Sequence, residues 1–378
     1  MKTELKKIIQ AAGGSISYAQ YMRHALYHPQ KGYYMTVGER LGVEGDFITS
    51  PELTSLFGEL LTLQMVELWQ LMGSPTKFQL IEMGPGSGRL AQDILLTAKR
   101  FPKFYSTISY ELIEISQDFK DRQEKTLKES GVIAKAKWHK DLNNIADNSI
   151  VGVIFANEFL DALPVHWLEQ TPDGLSEVGV CVNENGDFTT VLQPLSAEIA
   201  DDYFTSRNIT LTPGSRTEVG IAGQQWIKKA GEVLQQGLVL LIDYGHPQKD
   251  YYTPLRENGT LTGHLKHVRI DDPLANPGEM DITAHVDFTA IVEAGRASEL
   301  ELAGYTSQGW FLQSLGILER LEMLRSLEGV DIGNLKEAVL RLILPEGMGE
   351  TFKVLALGKK ISQHKLSGFR LNDQRDKL

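Results

Sequence analysis

The chain has little cysteine and no long apolar run. Its 378 residues contain a single cysteine, Cys181, which cannot form an internal disulfide, so nothing calls for an oxidising compartment. The best apolar run, at 238–242, is far shorter than the roughly 18 residues of a membrane span. The N-terminus lacks the apolar core of a secretion signal and fits a mitochondrial presequence poorly. We therefore expect a cytoplasmic protein with no segment inserted in a membrane.

Positive charge is also scarce. The chain has 38 Lys and Arg against 49 Asp and Glu, a formal net charge of −11, and its basic residues form no long stripe. Proteins that bind nucleic acid need clustered Lys and Arg, so we expect no nucleic-acid partner. The length fits two domains or one elaborated domain, and nothing in the sequence fixes the oligomeric state.

Short apolar runs alternate with helical patterns from residue 78 onward. Consecutive apolar residues suit strands that are covered on both faces, as in a parallel sheet with helical crossovers. The sequence therefore predicts an α/β fold with a doubly wound, Rossmann-like core. The predicted strands are "FQLIEMG", "TISYELIEI", "AKAKW", "IVGVIFANE" and "LVLLIDYG", followed by a last strand at 350–359.

Other segments flank or interrupt this core. Helical periodicity over 5–27 and 51–72 predicts two long helices, the second capped by Ser50. The predicted domains are an N-terminal helical extension and lid (1–75), the core (76–360) and a frayed tail (361–378). Within the core we predict an insertion at about 165–236, with hairpin turns at 173–174 and 185–186, a long loop at about 246–285, and a helix near 286–298.

A glycine turn follows the first core strand. Gly84, Gly86 and Gly88 alternate in "LIEMGPGSGRL" and offer open backbone amides to a ligand. A nucleoside triphosphate loop needs Lys after its last glycine, whereas Arg89 stands here. A dinucleotide loop is tolerated, because Ala91 can serve as its third small residue when counted from Gly86. The glycine spacing alone leaves this alternative open.

The acidic residues at the strand ends favour another ligand. Glu82 precedes the first glycine by two positions, where a carboxylate would repel a pyrophosphate and attract the ammonium group of S-adenosyl-L-methionine. Glu114 ends the next strand, where it can accept ribose hydroxyls from either ligand. Asp141 and Leu142 follow the third strand, where the edge and face of adenine are expected. We therefore predict S-adenosyl-L-methionine as the cofactor, with a nicotinamide dehydrogenase as the competing enzyme class.

With these residues in place, the chain resembles the MidA family of S-adenosyl-L-methionine-dependent methyltransferases, over roughly 15–360. The resemblance implies a class I methyltransferase core with an N-terminal helical extension and inserted segments. It also implies a protein substrate, because the family's mitochondrial member methylates an arginine of a respiratory-chain subunit. A non-enzymatic, S-adenosyl-L-methionine-binding assembly factor is the alternative. The motifs that carry the resemblance are "ALYHPQKGYY", "GDFITSPELTSLFGE", "EMGPGSGRL", "NEFLDALPV", "LLIDYG" and "PGEMDITAHVDF".

The segment "NEFLDALP" ends the fourth strand and supplies the candidate catalytic acids. Methyl transfer from a sulfonium needs alignment above all, and paired carboxylates can hold a guanidinium fork. Glu158 and Asp161 are three residues apart and share one face if a helical turn begins there, while Asn157 could contact the donor through its amide. They could equally be helix-start acids favoured by the helix dipole. Their position in the family favours the catalytic role.

Further candidates lie in "GEMDITAHVDF" and in the N-terminal extension. Asp281 and His285 could orient or deprotonate the acceptor. They could equally form hydrogen bonds that hold the loop together, with Asp281 or Thr283 capping the next helix.

Four residues of the extension are predicted to serve the substrate or a lid. Tyr33 and Tyr34 could line an entrance for an extended side chain, and Asp46 and Thr49 could close over the donor. His264, His267, His285 and nearby acids could form a metal site, but a His-x-x-His pair in a loop without cysteine does not by itself indicate one. We expect no metal ion.

Overall fold

The computed structural model describes residues 1–35, 49–200, 202–266, 268–326, 331–361 and 366–378. Asp46 and His267 lie outside these described residues. The helices are α1 (Lys2–Ala11), α2 (Tyr18–Tyr27), α3 (Ser50–Leu53), α4 (Leu56–Leu71), α5 (Arg89–Ala98), α6 (Pro102–Thr107), α7 (Gln117–Glu129), α8 (Ile221–Val233), α9 (Gln248–Tyr251), α10 (Phe288–Arg296), α11 (Gln308–Ser314), α12 (Ile317–Arg325) and α13 (Ile332–Ile343). The strands are β1 (Ser15–Ser17), β2 (Phe78–Met83), β3 (Ile108–Ile113), β4 (Ala136–His139), β5 (Ile150–Asn157), β6 (His166–Thr171), β7 (Gly174–Val182), β8 (Phe188–Gln193), β9 (Arg216–Val219), β10 (Leu234–His246), β11 (Thr262–Leu265), β12 (Val268–Ile270), β13 (Asp281–Thr283), β14 (Val286–Asp287), β15 (Glu301–Ser307) and β16 (Phe352–Lys359).

A sheet with the strand order β4-β3-β2-β5-β10-β16-β15 forms the centre of the molecule, and the short β14 pairs with β10 beside it. The pairs from β4 to β10 are parallel, whereas β16 runs antiparallel to both of its neighbours. The strand order reverses at β2, because β3 lies on one side of it and β5 on the other. Ligands of such sheets bind in the crevice at the carboxyl ends of the strands next to this reversal.

Helices cover both faces of this sheet. Leu80 belongs to an apolar cluster with Leu60 of α4 and Ile94 of α5. Its neighbour Ile81 belongs to a second cluster, on the other face, with Ile227 of α8 and the helix α10. Both faces of the strands are therefore buried, which explains why their sequences are apolar on consecutive residues. The predicted doubly wound α/β fold is confirmed.

The inserted segments form two smaller sheets. The strands of the insertion, β6 to β9, join β1 of the N-terminal extension in a five-stranded antiparallel sheet, in which Ile16 lies opposite Val180. The expected long loop at 246–285 instead contains α9 and a three-stranded antiparallel sheet with the order β12-β11-β13. These strands are only three or four residues long, and β11 contains Gly263 and His264, so no clear alternation of apolar residues stood out in the sequence.

Both long N-terminal helices predicted from periodicity are interrupted. The strand β1 separates α1 from α2, and the extended conformation of Thr54 separates α3 from α4. Ser50 does not cap a helix, since it is the first residue of α3 and its buried hydroxyl donates to Gln308 Oε1 at 3.1 Å. Helical spacing of apolar residues continued across these breaks because both sides face the same core. Among the described residues, no helix is both long enough and apolar enough to span a membrane.

Candidate active site

A cavity of about 810 Å³ opens where the carboxyl ends of β2, β3, β5 and β10 meet. It brings together the ends of these strands, the N-terminal extension and the three-stranded sheet. The predicted site residues that line this cavity are Glu82, Gly84, Gly86, Glu114, Asp141, Leu142, Asn157, Glu158, Asp161, Asp281, His285, Tyr33, Tyr34 and Thr49.

The glycine turn reaches this cavity with two of its three glycines. Gly84, Gly86 and Gly88 have φ values of 57°, 54° and 81°, a left-handed backbone that side chains disfavour. Gly88 immediately precedes α5 and does not line the cavity among the described residues. A Cβ atom on Gly88 would lie 3.1 Å from the Cα of Gln123, so this glycine permits close packing of the turn against α7.

Glu82 is buried at the end of β2. Its Oε2 accepts a hydrogen bond of 2.6 Å from the hydroxyl of Tyr110, and no ion pair to it is formed within the described residues. Burial raises the pKa of Glu82 to about 8, although the hydrogen bond from Tyr110 opposes the shift, and Glu114 adds a smaller repulsion. The sequence predicts an anionic Glu82, whereas a pKa of about 8 leaves this carboxyl group mostly protonated at neutral pH.

Glu114 follows β3 and faces the same cavity. Its Oε1 accepts from the backbone N–H of Ser116 at 2.8 Å, and its Oε2 accepts from Gln123 Nε2 at 3.0 Å. Burial raises the pKa of Glu114, and these hydrogen bonds oppose the shift. Asp141 and the buried Leu142 follow β4 and line the cavity as well, so an acid and an apolar side chain face the same cavity as Glu114.

The segment that carries Glu158 and Asp161 is a non-helical turn. Glu158 has a left-handed φ of 53°, and residues 158–165 contain no helix. Both the shared helical face and the alternative of helix-start acids are therefore wrong. The turn is held by Asp243 of β10, whose Oδ2 accepts from the backbone N–H groups of Phe159 at 3.1 Å and Leu160 at 2.8 Å. This turn could not be recognised in the sequence, because its acceptor Asp243 is far away along the chain.

Three carboxyl groups lie together at this turn, with Asp161 and Asp243 buried and Glu158 half-buried. Burial raises the pKa of Glu158 to about 8, with repulsion from Asp161 as the next cause, and it raises the pKa of Asp161 to about 6. Burial and repulsion from Asp161 also raise the pKa of Asp243. No salt bridge within the described residues neutralises any of the three, so the cluster is short of positive charge.

Two oxygen atoms at this turn are buried without a hydrogen-bond partner within the described residues, namely Asp161 Oδ1 and Asn157 Oδ1. The amide nitrogen of Asn157 donates to Glu158 Oε1 at 3.0 Å, so the free oxygen of Asn157 is an acceptor only. Because both residues line the cavity, a ligand with N–H groups can satisfy both atoms.

Tyrosines of the N-terminal extension enclose the cavity opposite this turn. The rings of Tyr27 and Tyr34 stack with centroids 5.6 Å apart, and Tyr33 meets Tyr34 edge to face at 5.1 Å. The hydroxyl of Tyr34 donates to Asp281 Oδ1 at 2.8 Å, and that of Tyr27 donates to the carbonyl of Ala162 at 2.9 Å. The extension is thereby tied both to β13 and to the acid-bearing turn.

A second link joins this extension to the glycine turn, where the hydroxyl of Ser87 donates to Glu52 Oε1 of α3 at 2.5 Å. Thr49 precedes α3 and lines the cavity next to this link.

His285 lines the cavity and is paired with another histidine. Its Nδ1 lies 3.1 Å from Nε2 of His246, and burial, followed by this neighbour, lowers the pKa of His285 to about 4. A neutral imidazole of such low pKa is a weaker base than the carboxylate of Glu158. The next helix, α10, is capped by Asp287, which accepts from the N–H of Ala290 at 3.1 Å, so the predicted caps Asp281 and Thr283 are wrong.

Sequence reasoning missed Asp243, Tyr110 and Gln123. A signal for Asp243 was present, because it ends the apolar run "LVLLIDYG" just as Glu82 ends "FQLIEMG". Tyr110 and Gln123 carried no such signal, since a tyrosine inside a strand and a glutamine on a polar helix are ordinary.

Comparison with known proteins decides the family. Residues 60–306 match the family model described as "Putative S-adenosyl-L-methionine-dependent methyltransferase". The chain belongs to this methyltransferase family. The predicted family resemblance and the predicted cofactor, S-adenosyl-L-methionine, are thereby confirmed. The alternative of a nicotinamide dehydrogenase is excluded.

Curated relatives and a solved structure match nearly the whole length of this chain. A protein of Bos taurus named "Protein arginine methyltransferase NDUFAF7, mitochondrial" is 33% identical over 91% of this chain and 80% of its own length. Its Drosophila melanogaster homolog is 32% identical over 91% and 82%. A protein of Burkholderia thailandensis, crystallised with S-adenosyl-homocysteine bound, is 32% identical with a TM-score of 0.92 over 100% of this chain and 96% of that one. The expected cytoplasmic location is contradicted, since these curated relatives are named as mitochondrial.

Proposed function

We propose that this methyltransferase transfers the methyl group of S-adenosyl-L-methionine to an arginine side chain of a protein. The observation that carries the proposal is the unpartnered Asp161 Oδ1, buried in the cavity beside the second uncompensated carboxyl group of Glu158. A guanidinium group presents several N–H donors in a planar fork and keeps its charge at any physiological pH. It satisfies the free oxygen and neutralises the cluster at once.

The donor half of the cavity is assigned to S-adenosyl-L-methionine. Glu82 pairs with the ammonium group of the donor, and Glu114 accepts its ribose hydroxyls. Asp141 and Leu142 meet the edge and face of adenine, and Asn157 Oδ1 accepts from an N–H of the donor. Gly84 and Gly86 let the backbone approach the ligand closely.

The acceptor half is assigned to the arginine. Tyr33, Tyr34 and Thr49 line the entrance, and Asp281 orients Tyr34. Glu158 and Asp161 hold the guanidinium so that one of its nitrogens faces the methyl group. That nitrogen forms the new N–C bond while the C–S bond breaks, the sulfur keeps the electron pair, and Glu158 takes the proton released from nitrogen. His285, which is neutral, can only donate or accept a hydrogen bond here.

The names of the relatives support an arginine acceptor, because those proteins are named protein arginine methyltransferases. The family resemblance points further to a respiratory-chain subunit as the class of protein substrate.

The test is methylation of the protein's own proteome with labelled S-adenosyl-L-methionine, using lysate from the host and from a strain that lacks the gene. Mass spectrometry is expected to find methylarginine on a protein from the deletion strain after adding wild-type enzyme, and none after adding Glu158→Gln. The control variant Glu184→Gln changes an exposed acid in a turn and is expected to act as wild type. Labelling of another residue type would overturn the arginine assignment. Donor binding without any labelled protein would favour the non-enzymatic assembly factor.

A further inference from the structure

Gln123 of α7 connects two parts of the proposed donor site although it lies fully buried. Its Nε2 donates to the carbonyl oxygen of Gly86 at 3.0 Å and to Glu114 Oε2 at 3.0 Å. A side-chain amide nitrogen has two hydrogens, so this group is fully used by the glycine turn and the carboxyl group.

The orientation of this amide is fixed from the other side. Trp138 Nε1 donates to Gln123 Oε1 at 2.9 Å. An indole nitrogen can only donate, so the amide oxygen must face Trp138 and the amide nitrogen must face Gly86 and Glu114. In the flipped orientation, the amide nitrogen would face the donor Trp138 Nε1, and the amide oxygen would face two acceptors, the Gly86 carbonyl and Glu114 Oε2.

This geometry leaves Glu114 with a defined unused capacity. An ionised carboxylate has about four lone-pair sites, two on each oxygen. Ser116 N–H donates to Oε1 and Gln123 Nε2 donates to Oε2, and the backbone N–H of Ile115 also acts on this carboxyl group. The capacity that remains is on the side of the carboxyl group that lines the cavity, where the two adjacent hydroxyls of a ribose can reach it.

The same amide also acts on the glycine turn. Because a trans peptide points its C=O and N–H in opposite directions, drawing the Gly86 carbonyl toward Gln123 turns the N–H of Ser87 away from α7. One turn further along α7, the hydroxyl of Thr126 donates to the Ser87 carbonyl at 3.0 Å. Thr126 therefore holds the turn without contacting Glu114.

We propose that Gln123 is a positioning residue for the donor nucleoside, which fixes the Glu114 carboxylate so that both of its oxygens meet the ribose hydroxyls. The inference rests on the donor site of the proposed function and is independent of the acceptor. Gln123 itself does not touch the donor.

The test compares two ligands by calorimetry, S-adenosyl-homocysteine and its analogue that lacks both ribose hydroxyls. In Gln123→Leu, the loss of affinity for S-adenosyl-homocysteine is expected to exceed the loss for the analogue by about tenfold, the size of a hydrogen bond to a charged group. The matched control Thr126→Val removes a bond from α7 to the glycine turn only. It is expected to weaken both ligands equally, if at all. Equal losses of the two ligands in Gln123→Leu, or no loss, would overturn the inference.

A second variant covers the case in which Gln123→Leu does not fold. Trp138→Phe keeps the glutamine but removes the N–H that fixes its amide, so a smaller loss confined to S-adenosyl-homocysteine is expected. The absence of that selective loss would overturn the inference. If wild-type protein does not bind S-adenosyl-homocysteine, the proposed donor site fails and the inference fails with it. If it binds with no dependence on the hydroxyls, the proposed methyl transfer to arginine stands, and only the assignment of Glu114 to the ribose and the role of Gln123 are overturned.

Discussion

The hydroxyl of Tyr110 donates a hydrogen bond to Glu82 Oε2 at 2.6 Å. This bond stabilises the ionised form of Glu82, yet burial outweighs it and leaves the pKa near 8. If the ammonium group of the methyl donor binds at Glu82 as proposed, it has to displace a proton. Donor binding is then expected to depend on pH more than it would at an exposed glutamate.

Binding of S-adenosyl-L-methionine is expected to release protons at neutral pH. With a pKa of about 8, Glu82 is mostly protonated in the free protein at pH 7 and ionises when the ammonium group binds, so close to one proton leaves. Calorimetry in buffers of different ionisation enthalpy measures this number. Glu82→Gln is expected to lose most of the release and to bind the donor more weakly. An unchanged release in Glu82→Gln would contradict the assignment.

Asp243→Asn is expected to remove methyl transfer while sparing donor binding. Phe159 and Leu160 donate to Asp243 Oδ2 and Tyr244 donates to Oδ1, so the substituted NH2 group opposes the backbone donors on one of these two sides and weakens the hold on the turn of the proposed catalytic acids. Each buried donor that loses its acceptor lowers the free energy of unfolding by about 1–3 kcal/mol. The measurements are denaturant unfolding, methylation rate and affinity for S-adenosyl-homocysteine. Asp250→Asn, an exposed change in α9, is the control, and normal methylation by Asp243→Asn would refute the role of the turn.

The methylation rate at low acceptor concentration is expected to rise with pH. Glu158 must be ionised to take the proton from the guanidinium, and its pKa is about 8 in the free protein. Below that pKa the rate constant kcat/KM should increase by about tenfold per pH unit and then level off. Initial rates with labelled donor across this range give the profile. Glu158→Gln is expected to lower the rate by about a hundredfold or more and to lose this rising limb. A profile that does not depend on Glu158 would assign the base to another group.

The protein without ligand is expected to be less stable at alkaline pH. The pKa values of Glu82 and Glu158 are raised on folding from 4.5 to about 8, so the folded state holds these protons more tightly than the unfolded state. The stability they contribute is complete below about pH 4.5 and is lost as the pH rises through about 8. Unfolding by urea at several pH values measures the slope.

A glutamine in place of Glu158 removes one of these titrations. Glu158→Gln is expected to flatten the fall in stability and to raise the free energy of unfolding at high pH by on the order of 2 kcal/mol. The exposed Glu184→Gln is the matched control and should follow the wild-type slope. If the free energy of unfolding falls more steeply with pH in Glu158→Gln than in wild type, the pKa of the Glu158 carboxyl group is not raised on folding.

The parallel strands of the central sheet could be predicted from the sequence, because burial on both faces makes consecutive residues apolar. Leu80 and Ile81 are adjacent in the chain and pack on opposite faces, and this produces a continuous apolar run. The acids that end such runs could be placed at one edge for the same reason, since parallel strands end on the same side. The turn at Glu158 has no recognisable pattern in the neighbouring sequence, because Asp243, which holds it, is more than eighty positions away.

The sequence by itself determined the parallel strands of the central sheet, the glycine turn and the presence of acids at the strand ends, since hydrophobic periodicity and backbone conformation depend on neighbours in the chain. Only the tertiary structure decided the charge state of those acids and the shape of their turn. The pKa of Glu82 depends on burial by groups from distant segments, and the conformation at Glu158 depends on an acceptor supplied by another strand. Desolvation and long-range hydrogen bonds act through space, and no pattern of neighbouring residues records them.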